Sequence, residues 1–193
     1  MGLMKVVGAA LVGTSLMLMM VCLLRKNESF FNLRDIITKQ LRLFQNCKSQ
    51  YIIFYIFPLG FAVGLAMLYE AGDTFYSQLS VVVSILLSML LTILSILTGK
   101  DYDSINSKDC KDRIGVVIGE TFTAIMFDSL LCISLLLYSL IMVVVDGISF
   151  DVKVLKCVFA GIAYYLFIVI LLTLFLIVKR MCKIIEINLK AKK

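Results

Sequence analysis

Residues 78–100 read QLSVVVSILLSMLLTILSILTGK, and no residue of this stretch before the final lysine is charged. About 20 consecutive apolar residues are enough for an α-helix to cross the hydrocarbon core of a bilayer. The stretch therefore predicts a transmembrane helix, and the other segments can be placed relative to it.

Four small hydroxyl residues recur at every fourth position of this stretch: Ser80, Ser84, Ser88 and Thr92. On a helix they form one stripe, because residues four apart lie on the same face. Small polar residues allow two membrane helices to approach closely and to hydrogen-bond. The stripe thus predicts a helix-packing face, within one chain or between copies. The alternative is that each hydroxyl bonds its own backbone while facing lipid.

The composition indicates an all-α, polytopic membrane protein. Apolar residues make up 61% of the 193 residues, the mean hydropathy is +1.01, and charged residues are 17%, against about a quarter in soluble domains. Short alternating strands with turn signals are absent, which disfavours a β-barrel. We expect residues 1–193 to form a single membrane domain, a bundle of transmembrane helices with cytoplasmic helical extensions.

Apolar runs predict four spans plus an N-terminal fifth. The N-terminal run predicts a span whose N-terminus lies outside. The alternative is a helix that lies shallow in the membrane or packs on the bundle. The short connection between the second and third spans predicts a tight antiparallel hairpin. The predicted spans cover about residues 4–24, 51–69, 79–99, 125–145 and 157–178.

Basic residues are concentrated in two segments. Residues 25–50 hold six Lys or Arg against two acids, and residues 179–193 hold six against one. Loops rich in Lys and Arg stay in the cytoplasm, so both segments are predicted to be cytoplasmic. The same holds for residues 100–124, which begin with a hydrophilic loop at 100–113. The C-terminus would then be cytoplasmic and the N-terminus outside.

Both basic segments carry amphipathic helix patterns, which predict contact with anionic lipid or with a cytoplasmic protein. These charges flank membrane spans, so direct binding of nucleic acid is not expected. The residues assigned to partner or lipid contact are Arg34, Lys39, Arg42, Lys48, Lys183 and Lys190.

Two GxxxG pairs extend the helix-packing prediction: Gly60 with Gly64, and Gly115 with Gly119. Glycines four apart let helix backbones approach closely, although the motif is a weak signal in membrane helices.

The apolar run at residues 114–145 is longer than a bilayer requires and carries Glu120 and Asp128. We expect the membrane to begin near residue 129, so that both acids form ion pairs near the inner interface. If Asp128 lay deeper, it would need a partner and would become a functional candidate, for example in a pore. The expected basic partners are Arg113, Arg42 and Lys39.

Catalytic signatures are missing. The chain has no histidine, which excludes Ser–His and Cys–His nucleophile pairs and histidine metal sites. The sequence has no GK[ST] phosphate loop, and its six cysteines form no CxxC motif. We therefore expect no enzymatic activity, no catalytic residue, no cofactor and no bound metal.

Two functions fit these features. The first is an oligomeric membrane scaffold or sensor whose cytoplasmic helices recruit a soluble partner. The alternative is a small oligomeric ion channel or membrane-permeabilising pore, lined by the hydroxyl stripe. A transporter fits less well, because about five helices without an internal repeat are too few.

The size, the helix order and the run FPLGFAVGLAMLYE…SILLSMLLTILSILTG resemble the small membrane subunit of the Kiwa bacterial anti-phage system. The resemblance implies a homo-oligomer, a tetramer, in the bacterial inner membrane. It also implies a sensor of phage attachment that holds a cytoplasmic partner subunit. The Kiwa subunit has four spanning helices, one fewer than the number predicted here, and no residue-level site carries over.

Overall fold

All secondary structure in the part of the chain that the computed structural model describes is helical. The predicted all-α class is confirmed for these residues. They comprise residues 52–69, 72–99, 108–146 and 153–191, together with Gly8, Thr14 and Thr38.

A π-helical turn, Ile52–Ile56, leads directly into α1, Phe57–Leu68. Pro58 lies in the first turn of α1, and it lacks the N–H that would otherwise donate to the preceding π-helical turn. The second helix, α2, is Asp73–Thr98. The last two, α3 at Lys108–Asp146 and α4 at Lys153–Ala191, have 39 residues each, about 58 Å at the usual helical rise.

Three helical segments are long and apolar enough to cross a membrane: Thr74–Thr98, Gly115–Val144 and Lys156–Glu186. They correspond to three of the predicted spans. The apolar helix Phe54–Leu68 is shorter than these and shorter than the usual transmembrane length of about 20 residues. The prediction of a full span at residues 51–69 is not confirmed, and the predicted span at 4–24 lies outside the described residues apart from Gly8 and Thr14.

A seven-residue repeat organises the core of the three long helices. Residues buried in the core recur every seventh position on each helix, which is the spacing of knobs-into-holes packing with a small crossing angle. On α3 two such series are buried, because α3 packs against both α2 and α4. The series are Tyr76, Val83, Leu90 and Leu97 on α2; Thr121, Asp128, Leu135 and Met142, with Ile125, Cys132 and Ser139, on α3; and Ala163, Ile170, Ile177 and Ile184 on α4.

The short helix α1 packs mainly on α4 rather than on α2. The prediction that the second and third spans pack against each other as a tight antiparallel hairpin is therefore wrong for the described helices. Small side chains explain the choice: Ala62 and Ala66 of α1 are buried, and the Ala66 Cβ lies 3.7 Å from the position that a Cβ would occupy at Gly161 of α4. The Cys157 thiol also donates to the Ala66 carbonyl, at 3.4 Å.

Side-chain contacts fix how the antiparallel helices are aligned. The Ser80 and Ser139 hydroxyl oxygens are 2.6 Å apart. Thr98, the last residue of α2, lies 18 residues after Ser80, and Thr121 lies 18 residues before Ser139. Thr121 is therefore level with the end of α2, and α3 residues 108–120 continue beyond it for about 20 Å.

The fourth helix accompanies α3 over this distance, because Arg180 of α4 pairs with Glu120 of α3. We call α3 residues 108–120 and α4 residues 179–191 the extension. It is a two-helix projection beyond the three-helix bundle.

Candidate functional site

Polar residues are concentrated where the three-helix bundle meets the extension. At this level several polar side chains of α3 and α4 are buried or half-buried. Elsewhere the buried core is almost entirely apolar. We call this set the polar layer: Glu120, Thr121, Asp128 and Ser129 on α3, and Thr173 and Arg180 on α4.

Asp128 is the most unusual member of the polar layer. Its side chain is 0% exposed, and among the described residues neither carboxyl oxygen has a hydrogen-bond partner. It occupies the same heptad position as Leu135, a member of the hydrophobic core. A carboxyl group buried without a partner in an apolar helix bundle is costly, and in membrane proteins such groups usually serve a function.

Asp128 lies within the apolar segment Gly115–Val144, and its predicted place at the inner interface stays a prediction. It lies seven residues, about 10 Å, beyond Thr121 into the bundle, rather than at the end of the apolar region. It has no ion pair among the described residues, and the predicted interface pair stays a prediction for Asp128. Of its expected partners, the Arg113 side chain, Lys39 and Arg42 lie outside the described residues.

Glu120 does form an ion pair. Its Oε2 atom is 3.4 Å from Nη2 of Arg180, which is long for a charge-assisted contact. The other terminal nitrogen, Nη1 of Arg180, is buried and has no hydrogen-bond partner in the described part of the chain. The predicted ion pair is thus present for Glu120, with a partner that sequence reasoning missed.

A sequence signal for Arg180 did exist. Glu120 precedes most of the apolar run of α3, and Arg180 follows the apolar run of α4. In two antiparallel helices of equal length, the start of one apolar run lies beside the end of the other. Glu120 and Arg180 are therefore expected to be neighbours.

The two hydroxyls of the layer satisfy their donors locally. Thr121 donates to the Val117 carbonyl at 2.7 Å, and Thr173 donates to the Val169 carbonyl at 2.9 Å. Both retain lone pairs that can accept a hydrogen bond. The layer therefore offers acceptors and one guanidinium, but no reactive nucleophile.

Three of the four stripe residues do not pack against another described helix. Ser84, Ser88 and Thr92 are exposed on α2. Ser84 donates to the Val81 carbonyl at 2.8 Å, and Thr92 donates to the Ser88 carbonyl at 2.9 Å. Ser80 alone lies in a helix contact, with Ser139. The packing prediction holds within the chain only at Ser80, and packing of the others against a second copy remains a prediction.

The predicted glycine contacts are not made between the described residues. A Cβ added at Gly60, Gly64, Gly115 or Gly119 would meet no described atom within 4 Å. The close contact of α1 is made instead by Ala62 and Ala66, because these residues, and not the glycines, face α4.

Of the residues predicted to contact a partner or lipid, Lys183 is exposed on the extension. Lys190 lies within α4, and the structure describes its backbone only. Arg34, Lys39, Arg42 and Lys48 lie outside the described residues.

The described residues offer no metal centre and no catalytic pair. No group of three acidic, cysteine or histidine side chains among them could hold a metal ion. Cys132 lies one turn from Asp128 but is fully buried, and a thiol buried in a mainly apolar core is unreactive. No protein family model, curated protein or solved structure matches this chain.

Proposed function

We propose that the protein is a non-enzymatic membrane scaffold or sensor whose extension recruits a soluble cytoplasmic protein. The observation that carries this proposal is the length of α3 and α4. Both continue past the end of α2 as a paired projection, joined by Glu120 and Arg180. About 20 Å of paired helix beyond the bundle is more than a membrane anchor requires.

The surface of the extension supports a protein contact. Lys179 and Lys183 are exposed one turn apart on α4. Val116 is 62% exposed and Ile185 is 44% exposed. Basic and apolar side chains presented together are suited to the face of an acidic, amphipathic partner.

Charge distribution supports a cytoplasmic place for the extension. The α4 part of the extension, residues 179–191, carries four basic residues against one acid, and such segments remain on the cytoplasmic side. In this arrangement α2, α3 and α4 cross a bacterial inner membrane, and α1 adds a shorter apolar segment. Whether residues 4–24 add a further span is a separate prediction.

Assembly into a homo-oligomer is part of the proposal. The exposed stripe residues of α2 leave a small-residue face free for a second copy. The resemblance to the Kiwa membrane subunit extends the proposal to a tetramer that senses phage attachment and holds its partner at the inner membrane.

A charge-reversal experiment tests recruitment. The full-length protein is purified from its native membrane with its associated soluble proteins, and compared with the variant Lys179→Glu/Lys183→Glu. The matched control Lys179→Arg/Lys183→Arg keeps both charges. We expect the same soluble protein to co-purify with the wild type and the control, and to be lost from the reversal variant. Equal recovery from all three would contradict recruitment through this surface.

The pore remains the alternative function, since exposed hydroxyls could line a path between copies. Against it, the hydroxyl stripe faces outward from α2 whereas Asp128 is buried in the core of the same chain. Ion flux through liposomes containing the purified protein, abolished by Ser84→Leu, would favour the pore.

A further inference from the structure

The described residues contain four buried side-chain atoms that have no hydrogen-bond partner: Asp128 Oδ1 and Oδ2, Ser129 Oγ and Arg180 Nη1. Three of the four belong to one carboxyl and one guanidinium group. Unsatisfied buried polar atoms are rare in folded proteins, and each requires a physical explanation. Here an acid and a base are both incompletely paired within one layer of the bundle.

We propose that Arg180 has a second partner, the Asp128 carboxyl group, and that its guanidinium exchanges between Glu120 and Asp128. This inference does not depend on recruitment of a partner protein. It concerns a two-state contact inside the chain itself.

The helix geometry brings the two groups towards each other. Asp128 lies eight residues, about 12 Å, beyond Glu120 along α3. Side chains on an α-helix lean towards its N-terminus. Since α3 and α4 are antiparallel, Asp128 leans towards the level of Glu120, and Arg180 leans towards the level of Asp128. The charged ends are therefore closer together than the backbone positions, and an adjustment of up to one helical turn joins them.

On α3, the side of the helix between the two acids carries no large side chain that would block movement of the Arg180 guanidinium. Glu120, Ala124 and Asp128 are spaced four residues apart and lie along one side of α3. The middle residue, Ala124, is 0% exposed and presents only a methyl group. On α4, Thr173 lies two turns before Arg180 and can accept a hydrogen bond along the way.

Arg180 is the only described basic side chain placed to make this exchange. The other described basic side chains, Lys156, Lys179 and Lys183, are exposed, whereas Arg180 is half-buried. On α2 the buried residues at this level, Leu90 and Leu97, are apolar. An unpaired carboxyl at Asp128 can therefore be compensated from within the described bundle only by Arg180.

The exchange changes the extension. With Arg180 on Glu120, the ion pair joins α3 and α4 just beyond the bundle. With Arg180 on Asp128, this contact at the start of the extension is released and the buried carboxyl is neutralised by a partner. The contact is thus a latch with two positions.

Nearly isosteric amide variants test the latch. We expect Glu120→Gln and Asp128→Asn each to change the unfolding equilibrium constant of the full-length protein in lipid nanodiscs only slightly, because one carboxyl remains for Arg180. The double variant Glu120→Gln/Asp128→Asn leaves the guanidinium without either acid. We expect the unfolding equilibrium constant of the double variant to increase by about ten times more than the product of the two single-variant fold-changes. This excess is within the range of direct coupling between neighbouring residues.

The triple variant, which adds Arg180→Gln, is the control. Removing the guanidinium should abolish the excess loss and, where the double variant cannot be recovered folded, should restore recovery. A double variant whose effect equals the product of the singles, or a triple variant as unstable as the double, would overturn the proposal.

A direct distance measurement complements the stability test. Solid-state NMR recoupling between the aspartate side-chain carbon and the arginine terminal nitrogens should detect the Asp128–Arg180 contact in the Glu120→Gln protein. The signal should vanish when Asp128→Asn is added. Identical signals with and without Asp128 would overturn the proposal.

Discussion

The α2–α3 interface and the polar layer share one helix, α3, and differ in almost every other respect. Along α2 the buried heptad positions are Tyr76, Val83, Leu90 and Leu97, and in the contact between Ser80 and Ser139 both hydroxyl groups have a partner. In the polar layer, Asp128 and Arg180 leave buried atoms unpaired. An interface with satisfied contacts holds one arrangement, whereas an incompletely paired one can adopt a second.

We expect this difference to separate residues that stabilise the bundle from residues that control the extension. The apolar heptads, which fit one alignment of α2 against α3, fix the bundle. The polar layer lies between the bundle and the extension, where a change of contact alters how α3 and α4 are joined. We therefore expect substitutions in the first region to change stability, and substitutions in the second to change the behaviour of the extension.

The largest effect is expected at the apolar interface. Leu90→Ala removes a fully buried side chain from the core and should lower the free energy of unfolding by about 2–5 kcal/mol. Leu91→Ala is the matched control, because Leu91 is 52% exposed, and it should change stability by less than about 0.5 kcal/mol. Denaturant unfolding in micelles measures both. Equal losses would show that the described packing face of α2 is wrong.

The next effect is expected where α1 meets α4. Gly161→Leu places a large side chain against Ala66, whose Cβ lies 3.7 Å from the position of an added Cβ. We expect a destabilisation of about 1–3 kcal/mol and faster proteolysis within residues 52–69. Gly64→Leu is the control, since nothing lies within 4 Å of its added Cβ. If Gly64→Leu were the more damaging change, α1 would pack through its glycines instead.

A smaller effect is expected at the one hydroxyl pair. Ser139→Ala removes the contact with Ser80 and should cost about 0.5–1 kcal/mol, as for other hydrogen bonds between membrane helices. Ser84→Ala should have almost no effect, because Ser84 bonds only its own helix among the contacts described. Thermal unfolding of the two variants side by side distinguishes them, and a larger loss for Ser84→Ala would contradict this assignment.

The smallest effect on the folded chain is expected for the exposed stripe. Ser88→Leu adds an apolar side chain to an exposed surface that packs against no other described helix, so the monomer should remain as stable as the wild type. If copies pack through this face, the oligomer should become smaller in native mass spectrometry. An unchanged oligomer size would show that copies do not pack through the stripe, which would then contact lipid only.

Sequence reasoning identified the helical class and three long apolar helices because these depend on local properties. Hydropathy and length are enough to predict a helix such as α2. They do not show which side of that helix is buried. Leu90 and Leu91 are the same residue type, yet one lies in the core and the other on the surface. Where the whole helix is apolar, the inward face is decided by the shape of its neighbours.

The polar layer was predicted only in part for a related reason. Glu120 and Asp128 stood out because acids are rare in apolar runs. Their partners depend on the alignment of α3 with α4, which residues on one helix cannot reveal. The depth of Asp128 likewise follows from the Ser80–Ser139 contact with α2, and no pattern in the sequence contains that distance.

Photo-crosslinking from the extension tests the central claim most directly. A photoreactive amino acid replaces Lys183, exposed on the extension, or Met89, exposed on the apolar face of α2, in the full-length protein within native membranes. We expect the probe at Lys183 to capture one soluble cytoplasmic protein, and the probe at Met89 to capture only lipid or a second copy. Capture of lipid alone from Lys183, or of the same soluble protein from both positions, would contradict the account.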